Sequence, residues 1–421
     1  MSSPDDSLES LFEQALLRED PLEREQWLQS VLGHDPDKLQ EVRDLIANDE
    51  ESDWMDKPRR IVMEMSLLIE DMRGKQVGPF LLAEKIGSGG MGDVYLAKQL
   101  MPVRRYVAVK LIFRDTEHQQ ILERFQREIQ MLANMEHPNI ARIIDAGTTD
   151  TGLSYIAMEY VKGHGIMEYC KLNQLDIRAR LELHLQCCRA IQHSHQRGII
   201  HRDIKPSNVM VTVVDSEPMV KVIDFGIAKA ALSESVRKDN EYSSSIVSMM
   251  SMSITSHGIS PGTPPYMSPE QFPKSGLEID IRSDIYSLGA LLYVMLTDQN
   301  PFDDAQLTDK SLEEIGELIG NFDPLLPSQR VPQLAGVLRG DLDSIVRKAM
   351  SRDVEKRYQS VAQFSEDLRH YLSLKNVSAN PGDSWVQFLR LARRNQLLIV
   401  AAALVFAGML VGWFIAVYGA R

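Results

Sequence analysis

Cysteine is scarce in this chain. Only Cys170, Cys187 and Cys188 are present, with no C-x-x-C and no paired framework. That argues against a disulfide scaffold and fits a reducing compartment. Basic charge is also in deficit, with 46 Lys and Arg against 59 Asp and Glu and a net charge of −13 over 421 residues. A basic nucleic-acid footprint is therefore absent, and no nucleic-acid partner is expected. The deficit is local. Residues 1–71 hold 20 acidic and 7 basic side chains, which accounts for the whole imbalance. That head has no apolar run behind a basic end, so no signal peptide is read. Charge itself is missing from one stretch, the 22 residues 397–418.

The acidic head reads as helical over 7–48. Leu8, Leu11, Phe12, Leu16 and Leu17 recur at helical spacing, Pro21 interrupts them, and Trp27, Leu28, Val31 and Leu32 continue the pattern. Asp35-Pro36-Asp37 is a second start signal, ahead of Leu39, Val42, Leu45 and Ile46. Residues 49–60 are charged, carry Pro58 and suit a linker. Residues 1–60 are thus expected to form an acidic helical module with its linker. Two readings of it stand open, a solubilising extension and a regulatory or docking module.

Gly87-Ser88-Gly89-Gly90-Met91-Gly92 has the spacing G-x-G-x-x-G. Dinucleotide-binding folds share it, but they require a helix straight after the glycines. Here Val94-Tyr95-Leu96-Ala97 and then Tyr106-Val107-Ala108-Val109-Lys110 read as strands. A β-hairpin folded over phosphates is expected, its glycines letting amides approach without a Cβ in the way. A helix follows at 119–135, then a strand at 155–158 and an apolar-periodic helix at 177–198. His193 and His195 on that last helix stand two apart, off a common face, so they do not read as metal ligands.

Next comes His201-Arg202-Asp203-Ile204-Lys205-Pro206-Ser207-Asn208, and sixteen residues after Asn208 stands Asp224-Phe225-Gly226. With the glycine loop and Lys110 upstream, these motifs resemble a bacterial eukaryotic-like (Hanks-type) serine/threonine protein kinase. The resemblance covers residues 78–375. It implies an α+β fold of two lobes, a β-rich N-lobe (78–160) and a helical C-lobe (161–375). It implies ATP with Mg²⁺, or Mn²⁺ in its place, and protein substrates with Ser or Thr hydroxyls.

The resemblance also assigns roles. Ile86, Gly87, Gly89, Gly92 and Val94 would cover the nucleotide. Lys110 would hold its α- and β-phosphates, paired with Glu128 of the following helix, or failing that Glu123. Met158, Glu159 and Val161 would form the hinge beside the adenine. Asp203 would accept the substrate hydroxyl proton, Lys205 would stabilise the transferring phosphoryl group, and Asn208 and Asp224 would hold the metal. Thr263, in Gly262-Thr263-Pro264-Pro265-Tyr266, would contact Asp203 and Lys205. Arg202 would receive a phosphorylated activation-loop residue, and the Ser- and Met-rich run 242–260 is expected to be autophosphorylated at Ser251, Ser253, Thr255, Ser256 or Ser260. Asp284 would hold the catalytic-loop backbone, and Arg357 would pair with Glu270. Two rivals are a non-catalytic kinase-like scaffold and a small-molecule kinase. The complete set Lys110, Asp203, Asn208 and Asp224 weighs against the first, and the 262–270 docking segment against the second.

The uncharged run 397–418 is long enough to span a bilayer, since about 20 residues suffice. Arg390, Arg393 and Arg394 precede it and only Arg421 follows. The positive-inside rule then places the kinase in the cytoplasm, as a single-pass inner-membrane protein, with 376–396 as a juxtamembrane linker. Gly408 and Gly412 form G-x-x-x-G, a face on which two such helices could pair into a homodimer.

Overall fold

The computed structural model describes residues 72–89, 92–112, 129–149, 153–226, 264–272, 275, 277–307, 310–380 and 408–409, and in the head 21–32, 35, 38–39 and 42–43. The chain divides into two units, one built on Met1–Asp71 with Ser244–Ser256, the other on the remainder.

In the first unit, helix α1 (Pro21–Leu32) opens on the proline that breaks the preceding pattern. A ring with no N–H suits a first helical turn, whose donors lack partners anyway. Leu28 and Leu32 of α1 pack with Leu39 and Val42 into a small buried cluster, flanked by Trp27 and Val31. Asp35 accepts the Lys38 N–H at 3.2 Å, which makes it the cap read from the sequence.

The second unit begins with a β-rich lobe. Strands β1 (Gln76–Val77), β2 (Phe80–Gly89), β3 (Gly92–Gln99), β4 (Arg105–Ile112), β5 (Ile143–Thr148) and β6 (Ser154–Glu159) form one sheet, ordered β1-β2-β3-β4-β6-β5. Every pairing is antiparallel. Alternation along the strands sends Phe80, Leu82, Tyr95, Ala97, Val107, Val109, Tyr155 and Ala157 to one buried face. Lys110, paired in register with Val94 and Ile156, lies on the other.

The β2–β3 hairpin closes at Gly89↔Gly92. Gly92 has φ +141°, and a Cβ there would sit 1.7 Å from the Leu111 carbonyl oxygen. Only glycine fits, and for a packing reason that the phosphate argument did not contain.

The larger lobe is helical. After β7 (His164–Gly165) come α2 (Ile166–Leu172) and α3 (Ile177–His195), then the hairpin β8 (Val209–Val214) and β9 (Glu217–Val222). Helix α4 (Ile281–Thr297) is buried from Ser283 to its end. It lies against α6 (Asp341–Ala349) so closely that a Cβ on Gly289 would fall 2.8 Å from Ala349 Cβ. Helices α5 (Leu312–Asn321) and α7 (Val361–Leu372) complete the lobe. Residues 376–380, where the sequence suggests a linker, are tied to it. Asp367 of α7 accepts from the backbone of Ser378 and Ala379, and Asn380 donates to Asp341.

Among the described residues no helix is long and apolar enough to cross a membrane. The expected span 397–418 lies outside them except for Gly408 and Met409, so Gly412 is outside as well.

Two buried charges pair inside the larger lobe. Arg357 grips Glu270 with two hydrogen bonds, 2.6 and 2.9 Å, both side chains buried, and Ser283 donates to the same carboxylate at 2.7 Å. Burial alone would raise the Glu270 pKa. The Arg357 hydrogen bonds and charge outweigh it and hold the group below the usual carboxylate value. Arg357→Met strands that carboxylate and should lower stability by roughly 3–5 kcal/mol. A fall in the urea midpoint would show it, with partial recovery in Glu270→Gln/Arg357→Met.

His184 on α3 is fully buried against Phe364, and burial depresses its pKa from 6.5 to about 3. Folded and unfolded chains both hold it neutral above pH 6.5. Below that the unfolded chain takes up a proton that the folded chain refuses. Stability should then fall by about 1.4 kcal/mol per pH unit towards pH 3. His184→Leu should remove one proton from the measured slope.

Candidate active site

The catalytic loop is held from below by one carboxylate. Asp284, in the first turn of α4, is fully buried. It accepts the backbone N–H groups of His201 and Arg202 at 2.8 Å each, and His195 Nε2 lies 2.7 Å away. Burial would raise its pKa, yet the hydrogen bond and charge of His195, with the His201 amide, hold it below the usual value. Arg202 can then sit at φ +63°, an uncommon conformation for a residue with a side chain. His201 is buried against the Phe225 ring, centroids 4.4 Å apart, and burial keeps its pKa low.

Above this anchor the loop presents its polar side chains. Asp203 Oδ2 accepts from Asn208 Nδ2 at 2.9 Å and from Lys205 Nζ at 3.0 Å. Asn208 also donates to the Asp203 carbonyl at 2.8 Å, which fixes the turn between them. Two backbone bonds tie the next motif to this loop, Ile223 N–H to Asn208 O and Gly226 N–H to His201 O, both 2.9 Å.

Asp224, at φ +56°, reaches across to the smaller lobe. Lys110 Nζ donates to both of its carboxylate oxygens, at 2.6 and 2.7 Å, over 114 residues of sequence. The sequence reading pairs this lysine with Glu128 or Glu123, and both lie outside the described residues, as do Thr263 and the expected autophosphorylation sites. The sequence reading contains no ion pair between this lysine and Asp224.

The remaining nucleotide-site candidates are spread along the sheet. Ile86 is exposed on β2, while Gly87 and Val94 face each other across the hairpin. Met158 packs beside Ile129 and Ile156, and Glu159 turns to the opposite face of β6, where Lys221 pairs with it at 2.9 Å. Sequence reasoning missed two residues. His195, considered only as a metal ligand, supports Asp284. Gln271 donates to the Arg202 carbonyl at 2.8 Å, joining the segment after the activation loop to the catalytic loop. Neither contact, 89 and 69 residues long, leaves a local pattern.

Asp284→Ala removes the acceptor shared by two buried amides. A hydrogen bond to a charged group contributes roughly 1.5–3 kcal/mol. Exchange at the His201 and Arg202 amides should therefore quicken by about 10- to 100-fold, and unchanged protection at both would refute the anchoring role.

The geometry agrees with known proteins. The protein kinase domain family matches residues 80–370. Serine/threonine-protein kinase PknB of Mycobacterium leprae (strain TN) is 36% identical over 292 residues, 68% of this chain and 42% of the relative. The protein of that name from Mycolicibacterium smegmatis (strain ATCC 700084 / mc(2)155) is 35% identical over the same shares. The chain thus spans less than half the length of these curated relatives. Among solved structures, the Mycobacterium tuberculosis PknI kinase domain superposes with a TM-score of 0.52 at 24% identity, covering 72% of this chain and 99% of that domain. The fold, the anchored catalytic loop and the family match over residues 80–370 lead to one conclusion: this chain belongs to the protein kinase family.

Proposed function

We propose that the chain is a protein-serine/threonine kinase that transfers the γ-phosphoryl group of ATP to Ser or Thr hydroxyls of protein substrates. One observation carries the reading. Lys110 of the sheet meets Asp224 at 2.6 Å, and Asp224 directly follows Ile223, whose amide donates to the Asn208 carbonyl of the catalytic loop. A phosphate-holding cation, a metal-binding carboxylate and a general-base carboxylate thereby converge on one cleft. The relatives, both serine/threonine-protein kinases by name, support it.

Each side chain then has a task. Asp203, an acceptor with Asn208 and Lys205 already on one oxygen, takes the hydroxyl proton of the substrate. Lys205 neutralises charge on the phosphoryl group in flight, as a loose transition state requires. Lys110 turns to the α- and β-phosphates. The Asp224 carboxylate and the Asn208 amide oxygen are hard donors of the kind Mg²⁺ or Mn²⁺ prefers, and they fit that cofactor. Asn208 Nδ2 is committed to Asp203, which leaves Oδ1 as its ligating atom. When bound, the cation supplies charge neutralisation between the phosphates. The Asp224 carboxylate that would hold the cation is the one Lys110 now bonds, and Lys110 would reach the phosphates from that position.

Activation and location are part of the same proposal. The hydroxyl-rich run 242–260 supports autophosphorylation, with Arg202 as the receiving guanidinium. The 22 uncharged residues 397–418 behind three arginines support a single-pass anchor with the kinase on the cytoplasmic side, and Gly408 and Gly412 support pairing of two copies there.

The test is phosphate transfer from ATP and Mg²⁺ by the full-length chain beside Asp203→Asn. Removing a general base typically costs about 10²–10⁴ in rate. Transfer should fall by that much, and the product should carry phosphoserine or phosphothreonine, with mapped sites in 242–260. Equal transfer by the variant would overturn the reading.

A further inference from the structure

Four of the six residues 87–92 are glycine, so the hairpin between β2 and β3 brings little order of its own. A buried carboxylate fastens it. Asp93, the first residue after the run, is 5% exposed. One of its oxygens accepts from Ser88 Oγ at 2.8 Å, and the other lies 2.8 Å from Lys85 Nζ. These partners stand on either side of a register shift in β2, between Lys85 and Gly87, where Ile86 is the extra residue. The extra residue resets the alternation of the strand. Lys85 and Ser88 then share a face, and a single carboxylate reaches both.

The face it occupies decides what Asp93 can do. It stands two residues before Tyr95 and so shares the face of the lobe core. Val94, between them, is in register with Gly87 and with Lys110 on the other face. The carboxylate therefore lies on the back of the hairpin, away from the side on which a nucleotide would meet Lys110. It can act on a nucleotide only through the backbone it holds. Lys85 balances a charge whose burial would otherwise be costly.

We infer that Asp93 is a positioning residue for the nucleotide phosphates: its bonds to Ser88 and Lys85 hold the glycine hairpin, across the bulge, in the shape its amides need before any phosphate arrives. This role rests on the ATP-dependent reading above. A loop that is in its binding shape only part of the time binds more weakly by that fraction. A loop already held there avoids the ordering cost. A contact that merely stabilised the lobe would weaken every ligand of the cleft alike. A contact that shapes the phosphate hairpin weakens ATP and spares a ligand without phosphates.

The experiment compares the full-length chain with Asp93→Ala, Ser88→Ala and the double variant. Ser88 is exposed, so its truncation removes one hydroxyl and keeps the fold. Without nucleotide, exchange at the amides of 87–89 and 92–94 should quicken by about ten-fold in Asp93→Ala, as loss of hydrogen bonds to a charged group implies. Exchange at the His201 and Arg202 amides should not change. Calorimetric titration should show ATP with Mg²⁺ bound about ten-fold more weakly by Asp93→Ala and about three-fold more weakly by Ser88→Ala. Adenosine should bind all forms alike. The KM for ATP should rise with the dissociation constant while kcat at saturating ATP holds. Ser88→Ala should add nothing once Asp93 is gone, because its partner is already lost. Unchanged exchange in the hairpin, equal weakening of ATP and adenosine, or a fall in kcat with KM unmoved would each overturn the role of Asp93 alone. Failure of the unaltered chain to bind ATP would overturn the kinase reading together with it.

Discussion

One buried carboxylate underlies the geometry of the site. Burying a charge costs several kcal/mol unless partners surround it, and Asp284 is surrounded by two amides and an imidazole. The amides belong to the loop that carries Asp203, so the loop cannot relax without stranding the charge. Neighbours on the same helix act in concert. Ser283 donates to Glu270, and Ser287, one turn on, donates to the Tyr266 carbonyl. The first turns of α4 therefore position both the catalytic loop and the 264–270 segment that follows the activation loop.

The cleft itself is closed differently. Its only described bridge between Lys110 and the larger lobe is the bidentate pair with Asp224. Both partners are partly exposed, 14% and 31%, so the pair is shielded less than Glu270–Arg357. The site thus combines a fully buried lower anchor at Asp284 with a partly exposed upper contact at Asp224.

Much of this was legible because chemistry restricts residue types at fixed spacing. The run 201–208, the Asp224 motif and the strands after the glycines placed the lobes and the cleft, and the resemblance named Asp284 and the Glu270–Arg357 pair that the structure shows. What could not be read is long-range. Lys110 meets Asp224, His195 supports Asp284, and Lys221 occupies Glu159. Such contacts join positions dozens of residues apart and impose no periodicity on either. Gly92 was legible as a glycine but not for its reason, since the Leu111 carbonyl it accommodates belongs to a different strand.

The fastening of residues 376–380 by Asp367 and Asp341 changes the leash on the catalytic lobe. Asn380 is the last of the fastened residues, and 16 residues separate it from the uncharged run that begins at 397. Fully extended, those 16 residues reach at most about 55 Å. With the proposed anchor at 397, that reach bounds how far the cleft lies from the bilayer, and substrates held within the same layer would meet it at a far higher local concentration than substrates in bulk solution.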